Sequence, residues 1–288
     1  MSKIKPEIIT DPNELVLRTS ALRREGKRIG LVPTMGALHY GHLSLVLASK
    51  SDNDATVVSI FVNPTQFAPN EDYDKYPRTL EADLEQLDLI DGVDMVFAPS
   101  PEAMYPRSFD ANVHIGGVTK TLEGEFRPTH FDGVATVVLK LFHLTGADSA
   151  YFGQKDFQQV AVIRKMAADL NVPIEIVSCP IVREQDGLAL SSRNQYLAPQ
   201  QRKDATVLYE SLAQAEFRIH SGERDVETIR NEIRAMIEKI PETKIDYIAA
   251  VDPETLLPMS RVAGNIAILL AVRFGPTRLI DNMVILPQ

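Results

Sequence analysis

The sequence predicts an α/β chain built on a doubly wound parallel sheet, followed by a smaller C-terminal α+β domain. Between Ile29 and Val177, short apolar runs of strand type alternate with helical patterns, which argues for parallel strands joined by crossover helices. After about Val182, polar helices precede three strand-like runs, the order expected of an α+β unit. With 288 residues and 44% hydrophobic content, the chain can bury two cores.

Ile29 to Val32 fits a buried parallel strand, and Leu43, Val46, Leu47 and Lys50 follow at helical spacing. Thr56 to Val62 reads as a second strand and Leu80 to Ile90 as an acidic amphipathic helix. Met95 to Ala98 is a third strand, closed by Pro99-Ser100-Pro101. Phe131 to Leu144 is a helix rich in Val and Leu, Ala150 to Phe152 a short strand, Phe157 to Leu170 a helix and Ile174 to Val177 a strand. Helices over Gln200 to Ser221 and Val226 to Ile240 then precede strands over Ile245 to Val251, Asn265 to Val272 and Leu279 to Ile285. The turn signal Asp186-Gly187 marks the change, so residues 1–183 and 184–288 are expected as two domains. A sheet of this kind binds ligands at the carboxyl ends of its strands, where strand order reverses.

The first such end is the most informative segment. Pro33-Thr34-Met35-Gly36-Ala37-Leu38 leads from the strand into His39-Tyr40-Gly41-His42, where the helix begins. A helix N-terminus has unpaired N–H groups and the positive end of a dipole, so it draws phosphate. Gly36 and Gly41 lack a Cβ and admit a ligand or a backbone at close range. His39 and His42, three apart at a helix start, share a face and can donate to charge that grows on a polyphosphate during reaction. An H-x-x-H pair also suits zinc, but catalytic zinc takes a third ligand and often a glutamate between the histidines, where this chain has Tyr40 and Gly41. Capping or packing is the remaining reading of the pair.

Three further clusters fall at positions that the fold brings to the same edge. Asn63-Pro64-Thr65-Gln66-Phe67 follows the second strand, and its amides can recognise hydroxyl, carboxylate or amine groups; Asn-Pro is also a common turn. Gly153-Gln154-Lys155-Asp156 opens the helix holding Phe157, Gln158 and Gln159, with Lys155 a point charge for phosphate and Asp156 a helix cap or sugar ligand. Leu190-Ser191-Ser192-Arg193-Asn194 lies just past Gly187, read as a flexible point, and its hydroxyls and guanidinium can close over outer phosphates. No Walker-type lysine loop and no G-x-G-x-x-G after a strand is present, which weighs against P-loop enzymes and ordinary dinucleotide dehydrogenases.

Composition excludes other classes. Lys plus Arg number 30 against 39 Asp plus Glu, a net charge of −9, so no general attraction for nucleic acid is expected. Met1-Ser2-Lys3-Ile4-Lys5-Pro6-Glu7 lacks the apolar core of a signal peptide, and the longest apolar stretch, Ile266 to Val272, is too short to span a bilayer. The single cysteine, Cys179, excludes an intramolecular disulfide and reads as a packed small residue. A cytoplasmic protein with no membrane partner is the expectation.

An H-x-G-H after the first strand with a later serine-arginine loop resembles the nucleotidyltransferase superfamily that includes class I aminoacyl-tRNA synthetases. Within it the chain resembles the pantothenate synthetase family along nearly its whole length. The segments that carry this are Val32 to His42, Phe61 to Phe67, Tyr73 to Arg78, Arg127 to Val134, Phe152 to Gln159, and Arg183-Glu184 through Leu190 to Asn194. The resemblance implies a Rossmann-like doubly wound sheet of nucleotidyltransferase type, with a C-terminal domain that acts as a lid. It implies condensation of (R)-pantoate with β-alanine, driven by ATP with Mg2+ held mainly by the ATP phosphates, through a pantoyl adenylate, and a homodimer.

Carried over by residue, Pro33, Thr34, Met35, Gly36, Ala37, Leu38, His39, Tyr40, Gly41 and His42 would contact ATP, with His42, His39, Lys155 and Arg193 catalytic. Gly153, Gln154, Lys155 and Asp156 would bind nucleotide, Lys155 serving the phosphates; the Val182 backbone would meet adenine, and Leu190, Ser191, Ser192 and Arg193 would form the phosphate loop. Gln66, Gln159, Asn63 and Met35 would hold pantoate and β-alanine. Leu190 stands where the family often has methionine, an exchange of similar volume, and His143 where asparagine is expected. Arg127 and His130 match the motif, and phosphate binding, dimer contacts and loop structure all remain open for them. His114, His143 and His220 read as surface or packing residues.

Overall fold

The computed structural model describes residues 6–69, 71–90 and 93–287; Met1 to Lys5, on which the absence of a signal peptide partly rests, lie outside them. Contacts divide the chain into two units. The first holds the described residues up to Gly153 together with Gln158–Pro180; the second holds Gln154–Phe157 and the described residues from Ile181 onward.

The first unit runs β1 (Glu7–Ile9), α1 (Pro12–Arg24), β2 (Ile29–Thr34), α2 (Tyr40–Asp52), β3 (Ala55–Ile60), α3 (Leu80–Leu89) and β4 (Met95–Phe97). It continues through α4 (Pro101–Met104), α5 (Glu123–Phe126), α6 (His130–Thr145), β5 (Ser149–Gly153), α7 (Phe157–Asp169) and β6 (Glu175–Cys179). The six strands are all parallel, in the order β1-β4-β3-β2-β5-β6. The chain moves outward from β2 to β3 and β4, then returns to β5 and β6 on the other side, so order reverses between β2 and β5. Adjacent residues face opposite ways. Leu31, Val57, Phe97 and Phe152 join the core beneath α6 and α7, while Val32, Val58, Val96 and Tyr151 join a second core with Val46 of α2 and Leu87 of α3. Burial on both faces explains why these strands read as continuous apolar runs.

The expected strands and helices of this unit are present to within a few residues, and β1, α1 and the short helices α4 and α5 were not anticipated. β1 is only three residues long and pairs with β4 from Glu7↔Met95 to Ile9↔Phe97. α1 begins on Asp11, whose carboxylate accepts the N–H groups of Asn13 and Glu14, with Pro12 in the first turn.

The second unit holds α8 (Pro199–Asp204), α9 (Val207–His220) and α10 (Val226–Ile237) with an antiparallel sheet of β7 (Thr243–Val251), β8 (Ile266–Phe274) and β9 (Thr277–Ile285). Its core joins Leu208, Leu212 and Ile219 of α9 and Ile229 and Ile233 of α10 to Ile268, Leu270 and Val272 of β8. The single helix expected over Gln200 to Ser221 is broken at Ala205-Thr206. There the backbone tightens to Thr206 N–H donating to Lys203 O and Leu208 N–H to Ala205 O, and the Thr206 hydroxyl also donates to Lys203 O. β8 and β9 turn through Gly275-Pro276, with positive φ at Gly275, the glycine-first pattern of a two-residue hairpin. Gly187 is a packed turn rather than a loose one: it has positive φ, its N–H donates to Glu184 O, and a Cβ there would meet the Tyr209 ring at 2.1 Å.

Candidate active site

The turn after β2 is built around Asp83, a residue 45 positions away from Leu38. Gly36 and Ala37 have φ of +82° and +51°, which reverses the chain between strand and helix. The Asp83 carboxylate, 1% exposed, accepts Leu38 N–H at 2.7 Å and Ala37 N–H at 3.0 Å. A Cβ at Gly36 would lie 2.9 Å from Asp83 Oδ2, so the close approach that Gly36 permits is to this carboxylate. Asp83 escaped the sequence reading because α3 reads as an acidic surface helix. The available signal was its register: Asp83 and Leu87 are four apart on one buried stripe.

The two imidazoles cap α2 and each other. His39 is the N-cap: its Nδ1 accepts Gly41 N–H at 3.1 Å, while His42 Nδ1 accepts His39 N–H at 3.3 Å. Their ring centroids are 4.1 Å apart. Because each Nδ1 uses its lone pair on a backbone donor, the neutral ring carries its proton on Nε2 in both. Capping and donation are thus compatible, one nitrogen serving each. The first-turn N–H groups, expected to draw phosphate, are in part already engaged: Gly41 N–H bonds to His39 Nδ1, and His42 and Leu43 N–H donate to His39 O. Tyr40, between them, is 78% exposed. No group of three or more His, Cys, Asp or Glu side chains able to hold a metal ion exists among the described residues.

The amide loop after β3 is buried and tightly specified. Asn63 Nδ2 donates to Gln66 Oε1 and to Gly133 O, both at 3.1 Å, and Asn63 Oδ1 accepts from the Tyr105 hydroxyl at 2.8 Å. Gln66 Nε2 then lies 3.1 Å from Met35 Sδ, so the amide loop reaches the β2 turn. Asn63 therefore spends its donors within the protein, and Gln66 is the amide it aims. Gly133 has to be glycine for this packing, since a Cβ would meet Thr65 O at 2.4 Å.

His130 and Arg127 buttress the same loop. The Gln66 carbonyl can only accept, so His130 Nδ1 donates to it at 3.0 Å, and His130 Nε2 accepts from Arg127 Nη1 at 3.2 Å. Arg127 also makes a bidentate pair with Glu71 at 2.7 and 2.6 Å. Burial, reinforced by the Arg127 charge, pushes the His130 pKa down to about 4. Burial raises the Glu71 carboxyl, but hydrogen bonding and charge from Arg127 outweigh it and leave the pKa lowered. Of the three readings left open for Arg127 and His130, loop structure is the one these bonds realise. Gln158 is buried and pins the 118–123 segment by accepting from Glu123 N–H and donating to Val118 O and Thr121 O; Gln159 beside it is half-buried.

In the second unit, Gln154–Asp156 forms a short 3-10 turn that carries Lys155. Val182 O accepts from Leu190 N–H at 2.9 Å, which ties the segment expected near adenine to the start of the serine-arginine loop. Ser191 caps a 3-10 helix over Ser192–Tyr196, its hydroxyl accepting Arg193 N–H at 3.3 Å, and Asn194 Nδ2 donates to Ala189 O and Glu184 Oε1. The remaining histidines are engaged elsewhere or open to solvent: His114 pairs with Asp132 and His220 with Leu286 O, while His143 is exposed.

A doubly wound parallel sheet with an H-x-G-H cap after β2 and an amide loop after β3 places the chain in the Rossmann-like α/β class. Comparison with known proteins narrows the class. The Pantoate-beta-alanine ligase family model matches residues 7–284. The chain is 56% identical over 264 residues to a pantothenate synthetase of Caldicellulosiruptor bescii, covering 92% of this chain and 93% of the relative. It is 50% identical over 282 residues to one from Syntrophotalea carbinolica, covering 98% and 99%. The crystal structure of pantothenate synthetase from Thermus thermophilus superposes with a TM-score of 0.92 at 46% identity, covering 98% of this chain and all of the other. A pantoate-beta-alanine ligase from Francisella tularensis, complexed with beta-gamma ATP and beta-alanine, gives 0.80 at 37% identity, covering 97% of each chain. The chain belongs to the pantoate–β-alanine ligase family and is an enzyme of the carbon–nitrogen ligase class.

Proposed function

We propose that this enzyme condenses (R)-pantoate with β-alanine at the expense of ATP, through a pantoyl adenylate, releasing AMP and pyrophosphate. The observation that carries the reading is the Gln66 carboxamide 3.1 Å from Met35 Sδ, in a chain matched to the family over residues 7–284. A buried, pre-aimed amide beside the H-x-G-H turn suits a small polar acid brought to a nucleotide.

In the first step a pantoate carboxylate oxygen attacks the α-phosphorus and the bond to the β-phosphate bridging oxygen breaks, with pyrophosphate leaving. The nucleophile is ionised near neutral pH and needs no base. It needs alignment, neutralised phosphate charge and a stabilised leaving group. Gln66, aimed by Asn63, and Gln159 supply alignment; His39 and His42 donate from Nε2; Lys155 and Arg193 supply positive charge. Gly153, Gln154, Asp156 and the Val182 backbone complete the nucleotide contacts, with Leu190, Ser191 and Ser192 along the phosphates. Magnesium would be held mainly by the ATP phosphates and would supply further neutralisation of their charge. In the second step the β-alanine amine attacks the acyl carbon, the carbon–oxygen bond to AMP breaks, and a proton leaves the new amide nitrogen.

The resemblance also supports a homodimer in the cytoplasm; among the described residues no helix is long and apolar enough to cross a membrane. The test of the two-step reading is pantoate-dependent exchange of labelled pyrophosphate into ATP with magnesium and no β-alanine, followed by amine addition. Exchange, then AMP and pantothenate, is the expected result. Product without exchange would replace the adenylate by a concerted route, and the absence of both would remove the reading.

A further inference from the structure

Lys155 belongs to the second unit with the rest of Gln154–Phe157, although the flanking Gly153 and Gln158 belong to the first. One side chain from β9 holds this turn. Asn282, 2% exposed, donates through Nδ2 to Gln154 O at 3.0 Å and Lys155 O at 2.9 Å, while its Oδ1 accepts from Gln154 Nε2 at 3.3 Å. Both carboxamide ends are thereby used on one three-residue turn. Asn282 is fixed in its own right, because its N–H donates to Asp281 Oδ1 at 2.7 Å. Asp281 forms a bidentate pair with Arg183 at 2.7 and 3.0 Å, the residue after Val182. Arg183 Nη1 also reaches Gly187 O at 3.0 Å, and its guanidinium lies over the Tyr209 ring at 4.5 Å.

We infer that Asn282 is a positioning residue for Lys155, and that with Asp281 it makes β9 the common mount of the Gln154–Asp156 turn and the Val182-Arg183 segment. A carboxamide is the side chain the place demands: two carbonyls need donors and a glutamine N–H needs an acceptor, from one group on one strand position. Lys155 is a flexible cation on a four-carbon stem, so its reach to a phosphate depends on where its backbone is held. Mounted on β9, it is carried in the same unit as Ser191 to Arg193. This inference rests on the proposed reading that Lys155 serves the ATP phosphates.

The test is a double-mutant cycle between Asn282 and Lys155, read by pantoate-dependent pyrophosphate exchange at varied ATP. Asn282→Ala is expected to lower kcat/KM for ATP about tenfold, the scale of one lost hydrogen-bonded placement, with KM for pantoate unchanged. In a Lys155→Ala background the same change is expected to cost less than about twofold, because its effect runs through the missing lysine. Asn282→Asp, which keeps the acceptor but sets a carboxylate against two carbonyls, is expected to resemble the alanine variant. Asp246→Asn, which loosens a buried carboxylate bonded to Arg273 and Arg278 in the same sheet, controls for loss of stability and should leave KM for ATP unchanged. An equal loss in both backgrounds, or an equal rise in KM for ATP in the Asp246 control, would overturn the inference alone. A Lys155→Ala enzyme with unaltered exchange would remove the reading of Lys155 and the inference with it.

Discussion

Asn63 donates through Nδ2 to Gln66 Oε1 at 3.1 Å, and that bond decides which end of the Gln66 carboxamide faces Met35. With its oxygen taken, Gln66 presents Nε2, a donor suited to the oxygens of an organic acid. Asn63→Ala should raise KM for pantoate about tenfold while KM for ATP stays within about twofold, as expected when one buried bond no longer orients the amide. Gln66→Ala should weaken use of both pantoate and β-alanine, and the double variant should be no worse than Gln66→Ala. Steady-state kinetics with each substrate varied checks this; an equal loss of ATP affinity would mean a collapsed pocket.

His42 separates capping from chemistry by nitrogen. Asn at 42 can keep the Nδ1-like acceptor for His39 N–H, whereas Gln extends a donor toward the Nε2 position. His42→Ala and His42→Asn should both slow adenylate formation by roughly 10²- to 10³-fold, the scale of losing one transition-state donor, with His42→Gln less affected. Single-turnover measurement of pyrophosphate release distinguishes them, and an unchanged rate in His42→Asn would end the proposed role.

Asp83 offers two carboxylate oxygens to two N–H groups, and Asn offers one oxygen and a competing donor. Asp83→Asn should therefore cost about 1–3 kcal/mol of stability through an unsatisfied buried donor, and raise KM for ATP by loosening the Met35–Leu38 turn. Urea unfolding and ATP-dependent kinetics on the same preparation check both parts. Full stability with normal kinetics would show that the turn holds itself.

His130 sets an acid limit on stability. Its pKa is about 4 when folded and 6.5 ordinarily, so below pH 6.5 the unfolded chain binds the extra proton and the fold loses stability as pH falls toward 4. The loss saturates at about 3 kcal/mol by the linkage relation. Glu71, with its pKa lowered, contributes in the same direction once pH falls below its unfolded value. Denaturant titrations at pH 7, 5.5 and 4.5 should show His130→Gln less stable at pH 7 and less sensitive to acid; an identical slope in wild type and variant would contradict the assignment.

Strand and helix alternation, the H-x-G-H turn and the amide cluster after β3 were legible because each is written locally, in periodicity and turn chemistry over a few residues. β1 was not: three residues carry no period, and only pairing with β4 makes them a strand. The Gly187 reading failed for a related reason, since positive φ looks the same in sequence whether the glycine is loose or lies beneath a ring such as Tyr209.

By itself the sequence determined the order of elements, the sheet edge at which function gathers, and the family through segments spread from Val32 to Asn194. Only the tertiary structure decided what holds those segments in shape. Asp83 meets Leu38 across 45 positions, His130 meets Gln66 across 64, and Asn282 meets Gln154 across 128. In each of these bonds a buried polar side chain meets a backbone atom. Backbone atoms are the same at every position of a sequence, so no residue pattern announces such a bond; folding alone brings the donor and the acceptor together.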